Sequence, residues 1–361
     1  MSDIPLVTIS ILGYNDAETI GEAIRSAALQ RYPNLELIVA DNASPDSEAA
    51  FREDALKKAI VERKRKLGLH CPFRFTRNSK NLGFARGHNE AIRTSRGAFV
   101  LLLNSDAILD DRFVERAVRI FAKDARIASL QGKLLRYDVK NHTPATFTAD
   151  GTRRGIIDTT GLVVLKNRRI INRGQGEADA GQFNRKEEVF GADGAAPVYR
   201  RTALEDAKIC LGNHCEYFDE DFFSYKEDVD LAWRLRLYGW KTLYVPDMVA
   251  WHARTAGESA ARSYLKIIKE RRKIAGLPKF WSFRNQRLMQ IKNELLSLFL
   301  KNLPQLTAKE FGSWAYLALF ERQTLRVAKD LLVKLPRAYR KRRIIMKNRR
   351  AGAAEMAKWF T

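Results

Sequence analysis

Apolar and polar positions along the first 140 residues follow two alternating periods. Residues 6–12 (LVTISIL) form a β-branched run, too short for a helix and suited to a buried parallel strand. Residues 17–30 set Ile20, Ala23, Ile24 and Ala27 on one helical face. Residues 35–40 (LELIVA) read as a second strand. Ser44 before Pro45 marks the start of a helix reaching about Leu67. A weak third strand at 73–75, a helix at 84–94, a fourth strand at 98–103 and a helix at 111–123 follow, then strand pieces at 127–130 and 133–135. This βαβαβ alternation predicts an α/β fold, a Rossmann-like, mostly parallel sheet with helices on both faces.

The pattern weakens over residues 141–181, where Gly151, Gly155, Gly161, Gly174, Gly176 and Gly181 predict loops and short strands. A strand at 197–199, a short helix from Arg201, a helix over 231–238 stopped by Gly239 and a strand at 241–245 come next, ahead of Trp251 and His252. The character then changes, which divides the chain into residues 1–255 and a basic helical extension, 256–361. Helical stretches are expected at 256–275 and 288–303, with an apolar decamer at 311–320 and a basic run at 329–350.

Charge sharpens that division. From Ala256 to Thr361 there are 25 Lys and Arg against 7 Asp and Glu, +18 of the chain's +22. A near-neutral body with a cationic tail points to an anionic surface. No apolar stretch there reaches the roughly 18 to 20 residues of a membrane span, and basic amphipathic helices lie in a membrane interface. Peripheral attachment to an anionic membrane is therefore expected, with a solvated helical face or a protein-partner surface as alternatives. Nucleic acid is disfavoured, since no zinc-finger, RNA-recognition or helix-turn-helix pattern occurs. Hydrophobic content of 45% excludes a disordered chain. Cys71, Cys210 and Cys215 suit a reducing compartment and predict no disulfide framework, and His214 beside the last two lacks a second ligand pair for a metal. The N-terminal segment has neither a basic n-region nor a long apolar run, so no signal peptide is expected.

Four constellations carry chemistry. Asn15 follows the first strand, and Asp41 and Asn42 follow the second, where strand ends can hydrogen-bond a nucleotide. Residues 81–89 (NLGFARGHN) hold Asn81, Gly83 for close backbone approach, and Arg86 as a phosphate partner. The spacing is neither a dinucleotide fingerprint nor a Walker loop. Asn104-Ser105-Asp106 ends the fourth strand, and a carboxylate there can hold a hard divalent cation with substrate phosphates. Glu227, Asp228 and Asp230 crowd a helix start; the helix dipole alone favours them there, and a general base for an attacking hydroxyl is the functional reading.

In order, the segments ILGYN (11–15), ADNAS (40–44), NLGFARGHN, LLNSD (102–106), GADGAA (191–196), FSYKEDVDLAWR (223–234), GWK (239–241), YVP (244–246) and WH (251–252) resemble inverting family 2 glycosyltransferases with the GT-A fold, most closely their rhamnosyltransferase-like branch. Arg284-Asn285 resembles that branch's C-terminal helices. The resemblance implies that Asp41 binds the donor base, and that Asp106 and His252 ligate Mg²⁺ or Mn²⁺. Asp228 would be the catalytic base, with Gly194, Glu227, Trp233 and Arg234 near donor and acceptor. Asn104 stands where the common pattern has an acid. The implied activity is metal-dependent, inverting transfer of a sugar, L-rhamnose by the branch resemblance, from a nucleotide-diphosphate sugar to a glycan or polyprenyl-linked acceptor. The setting would be bacterial polysaccharide or cell-wall synthesis at the cytoplasmic face of the membrane. UDP-hexose or galactofuranose donors, a nucleotidyltransferase and a non-catalytic adaptor are the alternatives.

Overall fold

The computed structural model describes residues 4–139, 143–144, 146–148, 153–254 and 264–361. Strand β1 (Val7–Gly13) pairs in parallel with β2 (Leu35–Asp41) and with β4 (Phe99–Asn104), and β2 with β3 (Phe73–Arg77). Helices α1 (Ala17–Ala28), α2 (Asp46–Leu67) and α3 (Gly83–Thr94) make the crossovers. After β4 come β5 (Ala107–Leu109), α4 (Phe113–Phe121) and β6 (Ile127–Asp138). The strand Val198–Arg200 inserts between β4 and β6 and runs antiparallel to both, so the sheet is mixed. The strand Lys241–His252 then runs parallel to β6 on its far edge.

The period-two alternation explains why this sheet has two cores. Leu101 and Leu103 face one cluster with Ile9, Ile11, Leu37 and Val39; Val100 and Leu102 face another with Trp233, Leu235 and Tyr238. Burying such side chains contributes roughly 1.5–3 kcal/mol each, so the sheet holds its helices on both faces.

Three predicted elements differ. The helix expected from Leu231 starts at Glu227 as α6 (Glu227–Leu237), which follows the short helix α5 (Arg201–Ala207). The strand expected to stop at Val245 runs on to His252, with Pro246 absorbed at a register shift between Val245 and Val249. Opposite that shift, a Cβ on Gly132 would lie 2.4 Å from the Met248 carbonyl; glycine lets β6 continue where two strand pieces were expected. Cys210 and Cys215 correct the expectation of no disulfide. They face each other across the hairpin of Ile209–Leu211 and His214–Glu216 and are bonded at 2.02 Å, while Cys71 is free and buried.

The C-terminal residues form α7 (Tyr264–Lys273), α8 (Gly276–Asn293), α9 (Leu296–Lys301), α10 (Leu303–Phe320), α11 (Val327–Asn348) and α12 (Ala353–Ala357). Part of the helix expected over 256–275 lies outside the described residues. The helix expected over 288–303 is two helices, broken where Glu294 turns to pair with Arg168 at 2.6 Å. Leu288, Met289, Leu298, Ile345, Met356 and Phe360 complete the cluster around Trp233. Charge locks the same joint: buried Lys292 contacts Asp219 and, at 2.9 Å, Asp230; buried Lys341 contacts Asp219, Glu216 at 2.5 Å and Asp221 at 2.8 Å. The residues from α8 onward therefore share a core and a buried ion network with the sheet domain.

Candidate active site

The polar residues at the carboxyl ends of β1 and β2 shape one wall. Asn42 is its organiser. Its Nδ2 donates to Asn81 Oδ1 at 2.8 Å, and its Oδ1 accepts from Asn78 Nδ2 at 3.1 Å and the Leu82 N–H at 2.9 Å. Asn81 Oδ1 also accepts the Gly83 N–H at 2.8 Å. Gly83 has φ +74°, and a Cβ there would lie 2.4 Å from the Phe223 carbonyl, so only glycine lets α3 start against the Phe223 backbone. Asp41 is buried and paired with Arg52 at 2.7 Å, with the Ser44 N–H at 3.1 Å on its other oxygen. It stands in the wall as an Arg52-paired carboxylate. Asn15 is exposed, with φ +50°, and its N–H donates to Ser44 Oγ at 3.1 Å. Arg86 is half exposed, 3.9 Å from both Glu90 and Glu220, on a cavity of about 520 Å³ shared with Lys80, Asn81, His214, Phe223 and Arg337.

Sheet topology builds the second cluster. β5 folds back antiparallel on the end of the strand Lys241–His252, placing Ala107 opposite His252. His252 Nε2 thereby comes to 3.2 Å from Asp106 Oδ1, and the Ala253 N–H donates to the Asp106 carbonyl at 2.9 Å. On the other side, His252 Nδ1 lies 2.9 Å from Asp158 Oδ2. Asp158 is carried by the short strand Ile157–Thr159, which pairs with β6 as the His252 strand does. Arg254 donates to the other Asp158 oxygen. Burial works against the imidazolium charge, but Asp106 and Asp158 outweigh it and lift His252 to about 10. Burial likewise opposes ionisation of Asp106 and Asp158, yet their cationic neighbours hold both below the usual carboxylate range.

These residues fit a divalent cation. Two adjacent ligands with bonds of about 2.1 Å stand about 3 Å apart, close to the Asp106–His252 separation. A carboxylate on the far imidazole nitrogen is the usual way of fixing a metal-ligating histidine, and Asp158 occupies that place. Asn104, one turn back at the end of β4, contributes its backbone: its N–H donates to the Ala195 carbonyl at 2.9 Å.

That bond joins the cluster to the third group. The turn 191–196 places the Gly194 N–H 3.0 Å from Asp228 Oδ2, while Asp228 Oδ1 accepts its own helix's Val229 N–H at 2.8 Å. Gly194 is close to the acid: a Cβ on it would touch the Asp228 side chain at 3.5 Å. Burial, with Asp193 adding, lifts the Asp228 carboxyl to about 6, against the pull of Lys226 and the two N–H groups. Glu227 is pushed well above its ordinary value by burial and by Asp228, and its Oε2 has no hydrogen-bond partner. The residues before α6 are held in left-handed backbone, with φ of +64° at Phe223, +72° at Tyr225 and +74° at Lys226. Asn285 of α8 holds that turn by donating from Nδ2 to the carbonyls of Phe222, Ser224 and Tyr225 at 3.0, 2.9 and 2.7 Å.

The structure thus gathers Asn42, Asn81 and Gly83 in one wall, Asp106 with His252, and Gly194 with Asp228 and Glu227. Trp233 and Arg234 are elsewhere. Trp233 lies in the second core against Phe190 and Phe360, and fully buried Arg234 pairs with Asp230 and donates to the carbonyls of Ala207 and Tyr217. One helical turn carries Asp228 and the next carries these two into the interior, so adjacency in sequence did not mean adjacency in the site. Sequence reading passed over Asp158, Asp193, Arg254 and Asn285 in these contacts. An acid in the middle of the β-branched run 156–160 was a readable signal for Asp158, and Asp193 sat inside the GADGAA turn.

Comparisons with known proteins bear on the family and the fold. Poly-β-1,6-N-acetyl-D-glucosamine synthase of Staphylococcus epidermidis is 24% identical over 238 residues, 66% of this chain and 47% of that protein. The Staphylococcus aureus (strain COL) synthase is 22% identical over 245 residues, 68% of this chain and 49% of that one. The chain spans about half the length of these curated relatives. Among solved structures, S. aureus TarS superposes with a TM-score of 0.51 at 16% identity, over 98% of this chain and 54% of that one. TarS 1–349 in complex with UDP-GlcNAc gives 0.50 at 16% identity, over 95% of this chain and 89% of that one. Both share the fold. With residues 8–207, more than half of its length, matching Glycosyl transferase family 2, the chain belongs to that family of enzymes.

Proposed function

We propose that the protein transfers a sugar, L-rhamnose in our reading, from a nucleotide-diphosphate donor to a glycan or polyprenyl-linked glycan, with inversion at the anomeric carbon. One observation carries the reading. The turn 191–196 ties the end of β4, two residues before Asp106, to Asp228, so the Asp106–His252 pair and a carboxylate lifted to about 6 are held by one turn. A carboxylate with that pKa accepts a proton from an acceptor hydroxyl near neutral pH. In-line attack by the hydroxyl oxygen forms the new glycosidic bond as the bond to the nucleoside diphosphate breaks. Asp106 and His252 would hold Mg²⁺ or Mn²⁺, which supplies Lewis-acid stabilisation of the leaving diphosphate. Asn42, Asn81 and the Gly83 turn shape the nucleotide wall, with Arg86 at its rim. Asp158 orients His252, and the Gly194 N–H fixes Asp228.

A UDP-N-acetylhexosamine or other UDP-hexose donor is the second reading, favoured by the names of the synthase relatives and by UDP-GlcNAc in the TarS complex. Family membership leaves the nucleotidyltransferase and adaptor alternatives without support. Among the described residues no helix is long and apolar enough to cross a membrane. We place the protein at an anionic membrane surface, on the cytoplasmic face, through its cationic C-terminal region. A thermal-shift screen of dTDP-, UDP- and GDP-sugars with and without Mn²⁺, followed by a donor-hydrolysis assay, tests the donor. Asp106→Ala should abolish the Mn²⁺-dependent shift, and wild-type turnover by that variant would sink the metal assignment.

A further inference from the structure

We propose that α9 and the outer stripe of α10 form a face that inserts into the headgroup region of an anionic bilayer. This deepens the membrane reading above and rests on it. The basic run in α11 is the obvious candidate from sequence, but the fold uses much of it internally. Lys341 is buried among Glu216, Asp219 and Asp221, while Lys334 and Arg337 pair with Asp221 at 3.2 and 3.0 Å.

α11 exposes Leu332, Val333 and Tyr339, but a longer exposed apolar surface lies on the helices before it. In α9 and at the start of α10, Leu296, Phe299, Leu300 and Leu303 are exposed while Leu298 is buried. In α10, Leu306 and Leu317 face inward, Leu317 against Phe283 and Val327. The opposite stripe, at helical spacing, is Ala308, Phe311, Gly312, Ala315 and Leu319, with Phe311 77% and Leu319 67% exposed. Residues 311–320 contain no charged side chain.

Charge identifies what covers this face. Four acids lie between residues 276 and 350, and each is turned onto a cation: Glu294 on Arg168, Glu310 on Arg287, Glu321 on Arg271 and Asp330 on Arg284. The exposed charged side chains flanking the apolar stripe are therefore of one sign, at Lys301, Arg322, Arg326 and Lys329, with Arg326 lying over the Phe280 ring. An uncharged Phe/Leu stripe rimmed only by cations complements a surface of anionic headgroups over acyl chains. A second copy of the same face would bring these cations together.

The test is co-flotation of the full chain with phosphatidylcholine vesicles, with and without phosphatidylglycerol. Wild type should float with the anionic vesicles, and Phe311→Asp combined with Leu319→Asp should lower binding roughly ten-fold or more. A Gly312→Cys variant carrying an environment-sensitive dye should blue-shift on those vesicles; a Cβ at Gly312 meets nothing within 4 Å, so the label perturbs no packing. Donor hydrolysis by all variants should match wild type, since none of these residues is in the site. If the Phe311/Leu319 variant floats like wild type and Arg340→Glu with Arg343→Glu abolishes flotation, the inserted face is overturned while membrane attachment stands. If wild type does not float but sediments as a dimer that the Phe311/Leu319 variant disperses, the face joins two copies and the proposal is overturned. If wild type neither floats nor dimerises, the membrane reading fails with it.

Discussion

The Nδ1 of His252 stands 2.9 Å from a carboxylate oxygen of Asp158, leaving Nε2 aimed at Asp106, 3.2 Å away. On the proposed function, Asp158 would fix which nitrogen is offered to a cation. Asp158→Asn should lower Mn²⁺ affinity ~10–100-fold, measured by calorimetric titration, without moving the metal-free melting temperature as far as Asp158→Ala does. Equal Mn²⁺ affinity in wild type and Asp158→Asn would remove Asp158 from the site.

In the proposed role of base, Asp228 would link activity and stability with opposite signs. As a base it must be ionised, so the transfer rate should fall as pH drops below about 6, roughly ten-fold per unit, and Asp228→Asn should lose the reaction. The folded carboxyl titrates above its unfolded value of 3.8. The fold therefore favours the protonated form. The penalty is absent below the unfolded pKa, grows as pH rises between the two values, and is fully present above about 6. Asp228→Asn removes this pH-dependent penalty while its amide can accept only one of the two N–H groups, so transfer should be lost and stability in urea unfolding should depend less on pH between the two values than in wild type. An Asp228→Asn variant whose stability varies with pH as wild type does would contradict the burial argument.

Asn285 never reaches the site, yet its three bonds to the carbonyls of Phe222, Ser224 and Tyr225 set the left-handed turn ahead of Asp228. Asn285→Ala should reduce kcat ~10–100-fold and change the donor KM little, because the base is displaced and the nucleotide wall is not. A KM effect with unchanged kcat would reassign it to donor binding.

Lys292 is buried between Asp219 and Asp230 and joins α8 to the segment leading into α6. Lys292→Met leaves acids there short of a cation and should cost about 3–5 kcal/mol in urea unfolding. Lys329→Met, on the surface, should cost less than about 0.5 kcal/mol. By the same reasoning, deleting residues after 275 should yield insoluble protein, because it uncovers the core around Trp233.

Much of the fold was legible in local pattern. β1, β2 and β4 and the helices between them lie within a residue or two of expectation at most ends, because buried strands and amphipathic helices write their periods directly into the sequence. The polar wall of Asn42, Asn81 and Gly83 was legible for the same reason: these residues sit at strand and helix ends that the periods locate. The left-handed backbone at Gly83 is met by the residue type that tolerates it.

Sequence alone determined the α/β frame, the family resemblance, and the acids at the ends of β4 and at the start of α6. Only the tertiary structure decided their company. Strand register placed His252 opposite Ala107, and the packing of Ile157–Thr159 on β6 supplied Asp158. Packing sent Trp233 and Arg234 inward and drew the cations of α8 and α11 onto Asp219 and Asp221. The physical reason is that periodicity reports which face of an element is buried, whereas pairing across the sheet and charge burial depend on residues far apart in the chain. The strand ending in Asn104-Ser105-Asp106 was visible from the start. Its pairing with His252 was implied by the family resemblance; the register that makes the contact, the partner Asp158 and the inward turn of the cationic tail came from the fold.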